Sequence, residues 1–428
     1  MADQQRRIRT KSKPISDDDE RSILPMKKQK KQSPTATISA NSTSVVTKTL
    51  LDDANSGYKN GNFVCSPLSL DIVMGMLAAG AEGQTLKQLL EFLGHETIDK
   101  FLAKSPSSKL FKRKLSNKKT GLECSLANGV WVDKKVEPVQ SSYQKVLKTV
   151  YKAEASSVDF GNKRDEAVDE INSWVHKETK GLIPFIVEKS ELDRESVMLI
   201  ANTMYFKGTW SDPFDADETI EKKFHLINGE QVSVPFMTTD ERFDYGSFEG
   251  YKMIKLPYKS NKGKSNKFSM YIFLPHEKAG LKKLLQIFHS NDALFHGEFD
   301  LKMQSFDELW IPKFKISCKF EAKDVMKEMG LTLPFKETNK ELSGIVEPDV
   351  MLYVSKILQK SFVEIDEKGT EAAACSAMRM IPGCARQKDK PPPPPSFVAD
   401  HPFMFMIRED SSQAVLIVGV VLNPLDNN

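Results

Sequence analysis

The stretch GTEAAACSAMRMIPGCARQ comprises residues 369–387. Its first half has the residue pattern of a buried β-strand, although the stretch leads into five consecutive prolines near the end of the chain. A strand that buries one face carries small or apolar side chains at every second position. Counted from position 370, that face holds Thr370, Ala372, Ala374, Ser376, Met378 and Met380. The opposite face holds Glu371, Ala373, Cys375, Ala377 and Arg379, so both charged residues of the segment, Glu371 and Arg379, lie on that face. The pattern predicts a segment that is able to insert into a β-sheet.

The start of this segment carries the features that insertion requires. Gly369 supplies backbone freedom where the segment must fold over, and Glu367 and Lys368 flank it. The alanine run removes bulk that would obstruct insertion between two strands. An alanine-rich helix is the alternative, since Ala and Glu are strong helix formers. Pro382 and Gly383 would leave that helix short and uncapped.

The five consecutive prolines occupy residues 391–395. Such a run favours a stiff polyproline II conformation. It would serve as a rigid spacer that holds the preceding segment away from the body of the protein. Recognition by a partner that reads Pro-rich ligands is the alternative.

Composition indicates a soluble globular protein with a basic tail. The chain has 428 residues, of which 40% are hydrophobic and 28% charged, and a net charge of +3, which points to no nucleic-acid or membrane partner. Residues 1–40 are rich in basic residues and poor in aromatic ones, which predicts a disordered tail. The tail contains a basic cluster, Lys27, Lys28, Lys30 and Lys31. This cluster predicts a nuclear localisation signal or, equally, part of a solvated basic tail.

The chain shows no pattern that is typical of an enzyme, a metal site or a membrane protein. No uninterrupted apolar run follows Met1, and the longest one, residues 414–422, is too short to span a bilayer. The seven histidines are scattered, and no phosphate loop or nucleophile motif is visible. The cysteines form an odd set without metal-type spacing: Cys65, Cys124, Cys318, Cys375 and Cys384. We therefore predict no catalytic activity, no cofactor and a reducing compartment, the cytoplasm or the nucleus.

Strand and helix signals follow one another without a linker from residue 41 onward, which predicts one domain over residues 41–428. FVCSPLSL predicts a short strand and then a helix that is capped by Ser66. VMLIANTMYF and KFSMYIFLP are apolar on both faces, as central strands are. LWIPKFKISCKF alternates and predicts one half-exposed strand, and PFMFMIRED with AVLIVGVVLNP predicts a buried hairpin. This order of elements favours an α+β fold.

Several motifs in this order resemble those of the serpins, and of plant serpins in particular. They are FVCSPLSL, ANGVWVDK, EINSWVHKETKGLI, ANTMYFKGTWSDPF, FHLINGEQVSVPFM, IPKFKIS, FVEIDEKGTEAAACSA and ADHPFMFMI. The resemblance covers residues 41–428. It implies a serpin fold with three β-sheets, about nine helices and an exposed reactive-centre loop at about residues 367–398.

The resemblance also implies a role for the loop. A protease cuts such a loop, which then inserts into the central sheet and distorts the attached protease. The implied hinge comprises Glu367, Gly369, Thr370, Glu371, Ala372, Ala373 and Ala374. Counting the hinge glutamate as first, the seventeenth residue is Gly383, so the implied reactive bond is Gly383–Cys384. Arg386 is the alternative bait, because trypsin-like proteases prefer arginine and glycine offers no side chain.

Two further groups of residues match functional regions of the serpins. Ser66, Ser69 and Asn202 match the shutter, which lies beneath the place where the sheet opens, and Gln359 stands where a histidine is usual. Glutamine does not titrate, so we expect no pH-linked weakening there. Trp210 and Glu367 match the breach, where insertion starts. Each of these polar residues could equally be a satisfied core group.

These inferences predict a suicide-substrate inhibitor of serine or papain-like cysteine proteases. Its partner would be the target protease, and the protein would act as a monomer without nucleic acid or membrane. A non-inhibitory serpin that acts as a binding protein is the alternative. Gly383 as bait, the long loop and the missing histidine favour that alternative, whereas the small residues of the hinge favour the inhibitor.

Overall fold

The computed structural model describes residues 40–111, 115–116, 121–136, 138–260, 267–369 and 393–427. These residues contain ten α-helices, which are α1 (Ala40–Asn55), α2 (Pro67–Ala78), α3 (Gly83–Phe92), α4 (Ile98–Lys104), α5 (Pro106–Phe111), α6 (Ser141–Val146), α7 (Arg164–Glu178), α8 (Leu281–Ser290), α9 (Ala293–His296) and α10 (Lys323–Glu328). None of the described helices combines the length and the apolar composition that are needed to cross a bilayer.

The same residues contain sixteen strands. They are β1 (Phe63–Cys65), β2 (Glu123–Asp133), β3 (Glu154–Val158), β4 (Met198–Lys207), β5 (Ile220–His225), β6 (Gln231–Met237), β7 (Phe243–Phe248), β8 (Tyr251–Pro257), β9 (Phe268–Pro275), β10 (Lys302–Gln304), β11 (Glu308–Pro312), β12 (Phe314–Glu321), β13 (Lys356–Ile365), β14 (Ser396–Val398), β15 (Phe403–Glu409) and β16 (Val415–Val421). Three sheets result. Their strand orders are β1-β16-β15-β9-β8-β7-β10, β14-β11-β6-β5 and β12-β13-β4-β2-β3.

The seven-stranded sheet forms the centre of the main core. Every residue of β9, β15 and β16 is buried, and β15 pairs antiparallel with both of the others. Helix α2 packs close to this core, because all twelve of its residues are buried. Gly75 permits that packing, since a Cβ atom there would lie 2.6 Å from the Phe101 ring. The apolar sequence of these elements thus predicted them correctly.

The sequence prediction for LWIPKFKISCKF was wrong in one respect. The stretch forms two strands, β11 and β12, which separate at Lys313 and belong to different sheets. Pro312 has no backbone N–H to continue a ladder, and the N–H of Lys313 bonds to the carbonyl of Pro235 at 3.0 Å. The alternation holds in part of β12, where Phe314, Ile316 and Phe320 are buried, while Cys318 on the same face is half-buried.

The five-stranded sheet lies between two cores. Its inner face joins the main core through residues such as Ile200 and Val363. Its outer face is covered by α7, which buries Val168 and Ile171 in a second cluster that also contains Leu358 of β13. The five-stranded sheet, which contains β4 and β13, is therefore packed against a buried cluster on each face.

Candidate functional site: the junction of β4 and β13

The two central strands of the five-stranded sheet, β4 and β13, pair directly with each other. They run parallel through eight consecutive residue pairs, from Leu199 opposite Lys356 to Phe206 opposite Val363. We call this pairing the seam. Parallel pairs are slightly less stable per residue than antiparallel pairs, so the seam is the weaker kind of junction. On their other edges the two strands pair antiparallel, β4 with β2 and β13 with β12.

Beyond β13 the chain reverses in a tight turn. Asp366 and Gly369 form an antiparallel bridge, in which the N–H of Gly369 bonds to the carbonyl of Asp366 at 3.2 Å. Gly369 has a φ of +98°, and a Cβ atom there would lie 2.2 Å from the carbonyl oxygen of Gly208. Only glycine fits this position, because any side chain would meet the backbone. The turn therefore reverses the chain immediately after β13.

Side chains from neighbouring elements hold this turn, and we call them the turn cluster: Trp210, Thr219, Lys313 and Glu367. The indole Nε1 of Trp210 donates to the carbonyl of Asp366 at 2.9 Å, and its ring stacks on Tyr258 at 4.4 Å. The Glu367 carboxylate accepts from Lys313 Nζ at 2.9 Å and from Thr219 Oγ1 at 2.8 Å. Trp210 and Glu367, which the resemblance placed in the breach, therefore meet at this turn.

Charge stabilises the turn cluster. Burial alone would raise the pKa of Glu367, but the hydrogen bonds from Lys313 and Thr219 outweigh burial and lower this pKa from its ordinary value of 4.5. The carboxylate is thus held in its ionised form. The Glu367 side chain is only 10% exposed and that of Lys313 is 36% exposed, so water screens this ion pair in part, from the side of the lysine.

The middle of the seam carries a second group, the mid-seam cluster: Ser66, Ser69, Asn202 and Gln359. Ser66 caps α2 by accepting a hydrogen bond from the backbone N–H of Ser69 at 3.2 Å, and the two hydroxyls lie 3.0 Å apart. Gln359 Oε1 accepts from the N–H of Ser66 at 2.7 Å, and Gln359 Nε2 donates to the carbonyl of Ser66 at 3.0 Å. Gln359 thereby ties β13 to the start of α2.

The Cys65 thiol is part of the same network. Burial raises the pKa of Cys65 well above its ordinary value, so the thiol stays protonated. It donates to Gln359 Oε1 at 2.8 Å. The side-chain oxygen of Gln359 therefore accepts hydrogen bonds from Cys65 and Ser66, at the start of α2.

Asn202 faces away from Gln359 although the two residues lie opposite each other in the seam. Its amide nitrogen donates to Asn128 Oδ1 of β2 at 2.6 Å. Its Oδ1 atom is buried without a hydrogen-bond partner among the described residues, and so is Oγ1 of Thr203 on the other face of β4. Since Gln359 bonds to Cys65, Ser66 and Ser361, no side-chain bond joins it to Asn202 across the described seam.

The structure brings together all the site residues that it describes. Gly369, Glu367 and Trp210 meet at the turn. Ser66, Ser69 and Gln359 are joined by hydrogen bonds at the mid-seam, where Asn202 lies opposite Gln359 in the strand register. Their roles in insertion stay predictions. The remaining predicted residues lie outside the described part of the chain: Thr370, Glu371, Ala372, Ala373, Ala374, Gly383, Cys384 and Arg386.

Sequence reasoning missed Lys313, Thr219, Asn128 and Thr203. Lys313 belongs to the quoted motif IPKFKIS, but its partner Glu367 lies far away in the chain. Only the strand register brings Asn128 to Asn202. Within the residues that the structure describes, no group of three or more potential metal ligands occurs.

Comparison with known proteins agrees with this geometry. A family profile described as serpin (serine protease inhibitor) matches residues 41–424. Serpin-Z10 of Arabidopsis thaliana is 40% identical over 370 residues, which cover 85% of this chain and 92% of that protein. Serpin-Z2B of Triticum aestivum is 38% identical over 369 residues, covering 85% of this chain and 90% of that protein.

Solved structures agree as well. The native stressed conformation of Arabidopsis AtSerpin1 superposes with a TM-score of 0.80 at 34% identity, covering 91% of this chain and 98% of that one. Serpin48 of Tenebrio molitor superposes with a TM-score of 0.75 at 27% identity, covering 90% and 97%. The family profile and the plant relatives each span most of the chain. The chain therefore belongs to the serpin family of protease inhibitors, among the plant serpins.

Proposed function

We propose that this serpin is a suicide-substrate inhibitor of serine or papain-like cysteine endopeptidases. The segment of residues 370–392, which lies outside the described residues, would be the bait, with Gly383–Cys384 as the cut bond and Arg386 as the alternative. After cleavage, the part that follows Gly369 would insert between β4 and β13 and carry the acylated protease with it. The observation that carries the proposal is the direct parallel seam, with a tight turn at its end in which Gly369 pairs antiparallel with Asp366.

The register of the turn supports this use of the segment. In an antiparallel pair, each step forward on one strand is matched by one step back on the other. Since Gly369 lies opposite Asp366, an inserted strand would place Thr370 opposite Ile365 and Ala372 opposite Val363. Ile365 and Val363 are buried in the main core. The small-residue face of the segment would therefore meet the core.

Strand pairing supplies the driving force. Insertion would replace one parallel pair, β4 with β13, by two antiparallel pairs, in which the backbone of the inserted strand bonds on both sides. The native state then holds fewer strand pairs than the cleaved state, so it is stable for kinetic rather than equilibrium reasons. Insertion competes with hydrolysis of the acyl-enzyme, and it must be faster for inhibition.

The setting of this activity is part of the proposal. The protein would act as a monomer, without a cofactor or catalysis of its own, on a protease in the cytoplasm or the nucleus. The basic cluster at residues 27–31, which lies outside the described residues, would supply the nuclear signal. Neither nucleic acid nor a membrane would take part.

A panel of serine and papain-like proteases tests the proposal. We expect a covalent complex that survives boiling in detergent, and sequencing of the released C-terminal fragment identifies the cut bond. Cleavage of the loop should also raise the melting temperature steeply. Cleavage without a complex and without a rise in melting temperature would instead favour a non-inhibitory serpin that acts as a binding protein.

A further inference from the structure

Two large apolar side chains are exposed close together just after α7. Leu182 is 42% exposed and Phe185 is 43% exposed. Seven large apolar side chains are exposed in the described part of the chain, and these two lie within four consecutive residues. A single exposed apolar residue needs no explanation, whereas a cluster of them marks an interaction surface. The segment that carries the pair therefore calls for a partner.

Helix α7 fixes the backbone of this segment. The side-chain oxygen of Asn172 accepts from the N–H groups of Ile186 at 2.9 Å and Val187 at 3.2 Å, and its amide nitrogen donates to the carbonyl of Val187 at 2.9 Å. The N–H of Ile183 donates to Thr179 Oγ1 at 3.1 Å. Ile183 and Ile186 are also buried in the second cluster. The exposed pair is thus held in place before any partner binds, which lowers the entropic cost of binding.

A concave depression of about 380 Å³ lies beside the segment. Its lining side chains come from α7 and from the segment itself: Asp169, Asn172, Ser173, His176 and Pro184. Among the described residues, neither a lysine nor an arginine lines it. The depression is therefore a polar recess with one carboxylate, and two exposed apolar side chains lie close by in the chain.

The carboxylate of Asp169 forms no ion pair with a described residue, although its neighbours on α7 do. Asp165 pairs with Lys189 at 3.0 Å, and Glu166 pairs with Lys163 at 2.9 Å. Complementary charge steers a partner to a surface and selects against a partner of the same charge. The depression therefore complements a lysine or an arginine.

We infer that this surface docks a basic, partly apolar segment of another protein. The segment would place a lysine or an arginine beside Asp169 and a large apolar side chain against Leu182 and Phe185. A lysine suits the recess, because its apolar stem can pack on Pro184 while the ammonium group reaches the carboxylate. The surface lies outside the loop that the proposed function uses, so the inference does not depend on loop insertion.

Fluorescence anisotropy of a labelled synthetic peptide tests the docking surface on the full chain. The probe is a short peptide that alternates lysine with leucine. One control peptide carries glutamate in place of lysine, and the other carries serine in place of leucine. We expect saturable binding of the probe that weakens as salt is added, and binding of both control peptides that is about tenfold weaker or more.

Substitutions locate the binding site. Asp169→Asn should weaken binding of the probe about threefold, as the loss of an exposed ion pair does. Leu182→Ser should weaken it by about threefold to fivefold, because apolar contact area is lost. The matched controls are Glu170→Gln, on α7 outside the lining of the depression, and Ile220→Ser, which is 48% exposed on β5. Neither control should change the affinity, and the melting temperature of each variant verifies its fold.

Unchanged affinity in both Asp169→Asn and Leu182→Ser would overturn the inference. An equal loss of affinity in the two control variants would overturn it as well, because binding would then be unspecific. A dimer of the unaltered protein in sedimentation that Leu182→Ser abolishes would assign the surface to a second copy of this chain instead.

The basic tail, which lies outside the described residues, is the competing occupant. Replacing Lys27, Lys28, Lys30 and Lys31 by serine in the full chain should leave the affinity for the probe unchanged. Tighter binding of the probe in that variant would show that the tail covers the surface, and it would overturn the assignment to another protein.

Discussion

The two levels of the seam are held in different ways. At the turn cluster, Trp210, Thr219 and Lys313 from separate elements bond to Asp366 and Glu367. At the mid-seam, the residues that face each other turn apart, Gln359 toward α2 and Asn202 toward β2. Main-chain pairing therefore dominates in the middle, whereas side-chain bonds reinforce the end. Separating β4 from β13 would therefore break more side-chain hydrogen bonds at the turn than in the middle of the seam.

The largest expected effect comes from a charge on the inserting face next to the turn. Thr370→Arg would place a guanidinium opposite the buried Ile365, which costs several kcal/mol. Insertion should then be slower than hydrolysis, so the variant should be cut as a substrate. Detergent-resistant complex on a gel measures this, and we expect loss of nearly all of it.

Glu371→Arg is the matched control for that variant. Its side chain would face outward opposite Glu364, which is only partly buried. The complex should form almost as in the unaltered protein. Unchanged inhibition by Thr370→Arg would contradict the insertion account, and equal loss in both variants would contradict the assignment of faces.

The next effect concerns the turn cluster and depends on pH. Glu367→Gln removes the charge that Lys313 pairs with, and a hydrogen bond to a charged group contributes about 1.5–3 kcal/mol. Because the folded-state pKa of Glu367 is lowered, this contribution is present above the ordinary value of 4.5 and is lost as the pH falls through the folded pKa. Denaturant midpoints of the native protein between pH 7 and pH 3 should converge with those of the variant at the acid end.

Glu364→Gln is the control, because Glu364 lies on β13, three residues before Glu367, where its register partner is Lys315 of β12. Its midpoint should differ little from that of the unaltered protein at any pH. A constant difference between Glu367→Gln and the unaltered protein down to pH 3 would show that the ion pair does not stabilise the turn.

A smaller effect is expected at the mid-seam. Gln359→His would place a titratable ring in a buried network, where burial lowers the pKa of a histidine. Stability should then fall as the pH drops below about 6.5, the ordinary value for histidine, because the unfolded state takes up a proton first. The slope of stability against pH should exceed that of Gln359→Asn, which does not titrate. Identical slopes would contradict the prediction.

The smallest effect concerns the unpaired hydroxyl. Thr203→Val keeps the shape of the side chain and removes a buried oxygen that has no partner among the described residues. The native protein should gain about 1 kcal/mol in its free energy of unfolding. Thr203→Ser keeps the hydroxyl and should show no gain. A loss of stability in Thr203→Val, measured by denaturant titration, would mean that the hydroxyl is satisfied in solution.

Local patterns predicted much of the fold. The capped start of α2 and the buried strands β9, β15 and β16 follow from apolar runs and from Ser66 and Pro67. The same reasoning joined β11 and β12 into one strand, because the alternation continues across Lys313. A pattern with period two shows which face is buried but not the sheet to which a strand belongs.

Of the candidate site, too, one part was predictable from the sequence and another part was not. Trp210, Glu367 and Gln359 were located through the resemblance to the serpins. Their partners were not, because the bond between Glu367 and Lys313 depends on how distant strands approach each other. The direction in which Gln359 turns depends on the start of α2, which packs beneath it. No local pattern carries that information.

By itself, the sequence determined two properties of the segment that we propose to insert. These are the small-residue face that starts at Thr370 and the glycine at position 369, and both are local, because they arise from side-chain alternation and from a positive φ. Only the tertiary structure decided that β4 and β13 are direct parallel neighbours and that one oxygen each of Asn202 and Thr203 is buried there without a partner in the described part of the chain. The pairing of distant strands, and the satisfaction of their polar atoms, depends on the packing of the whole chain.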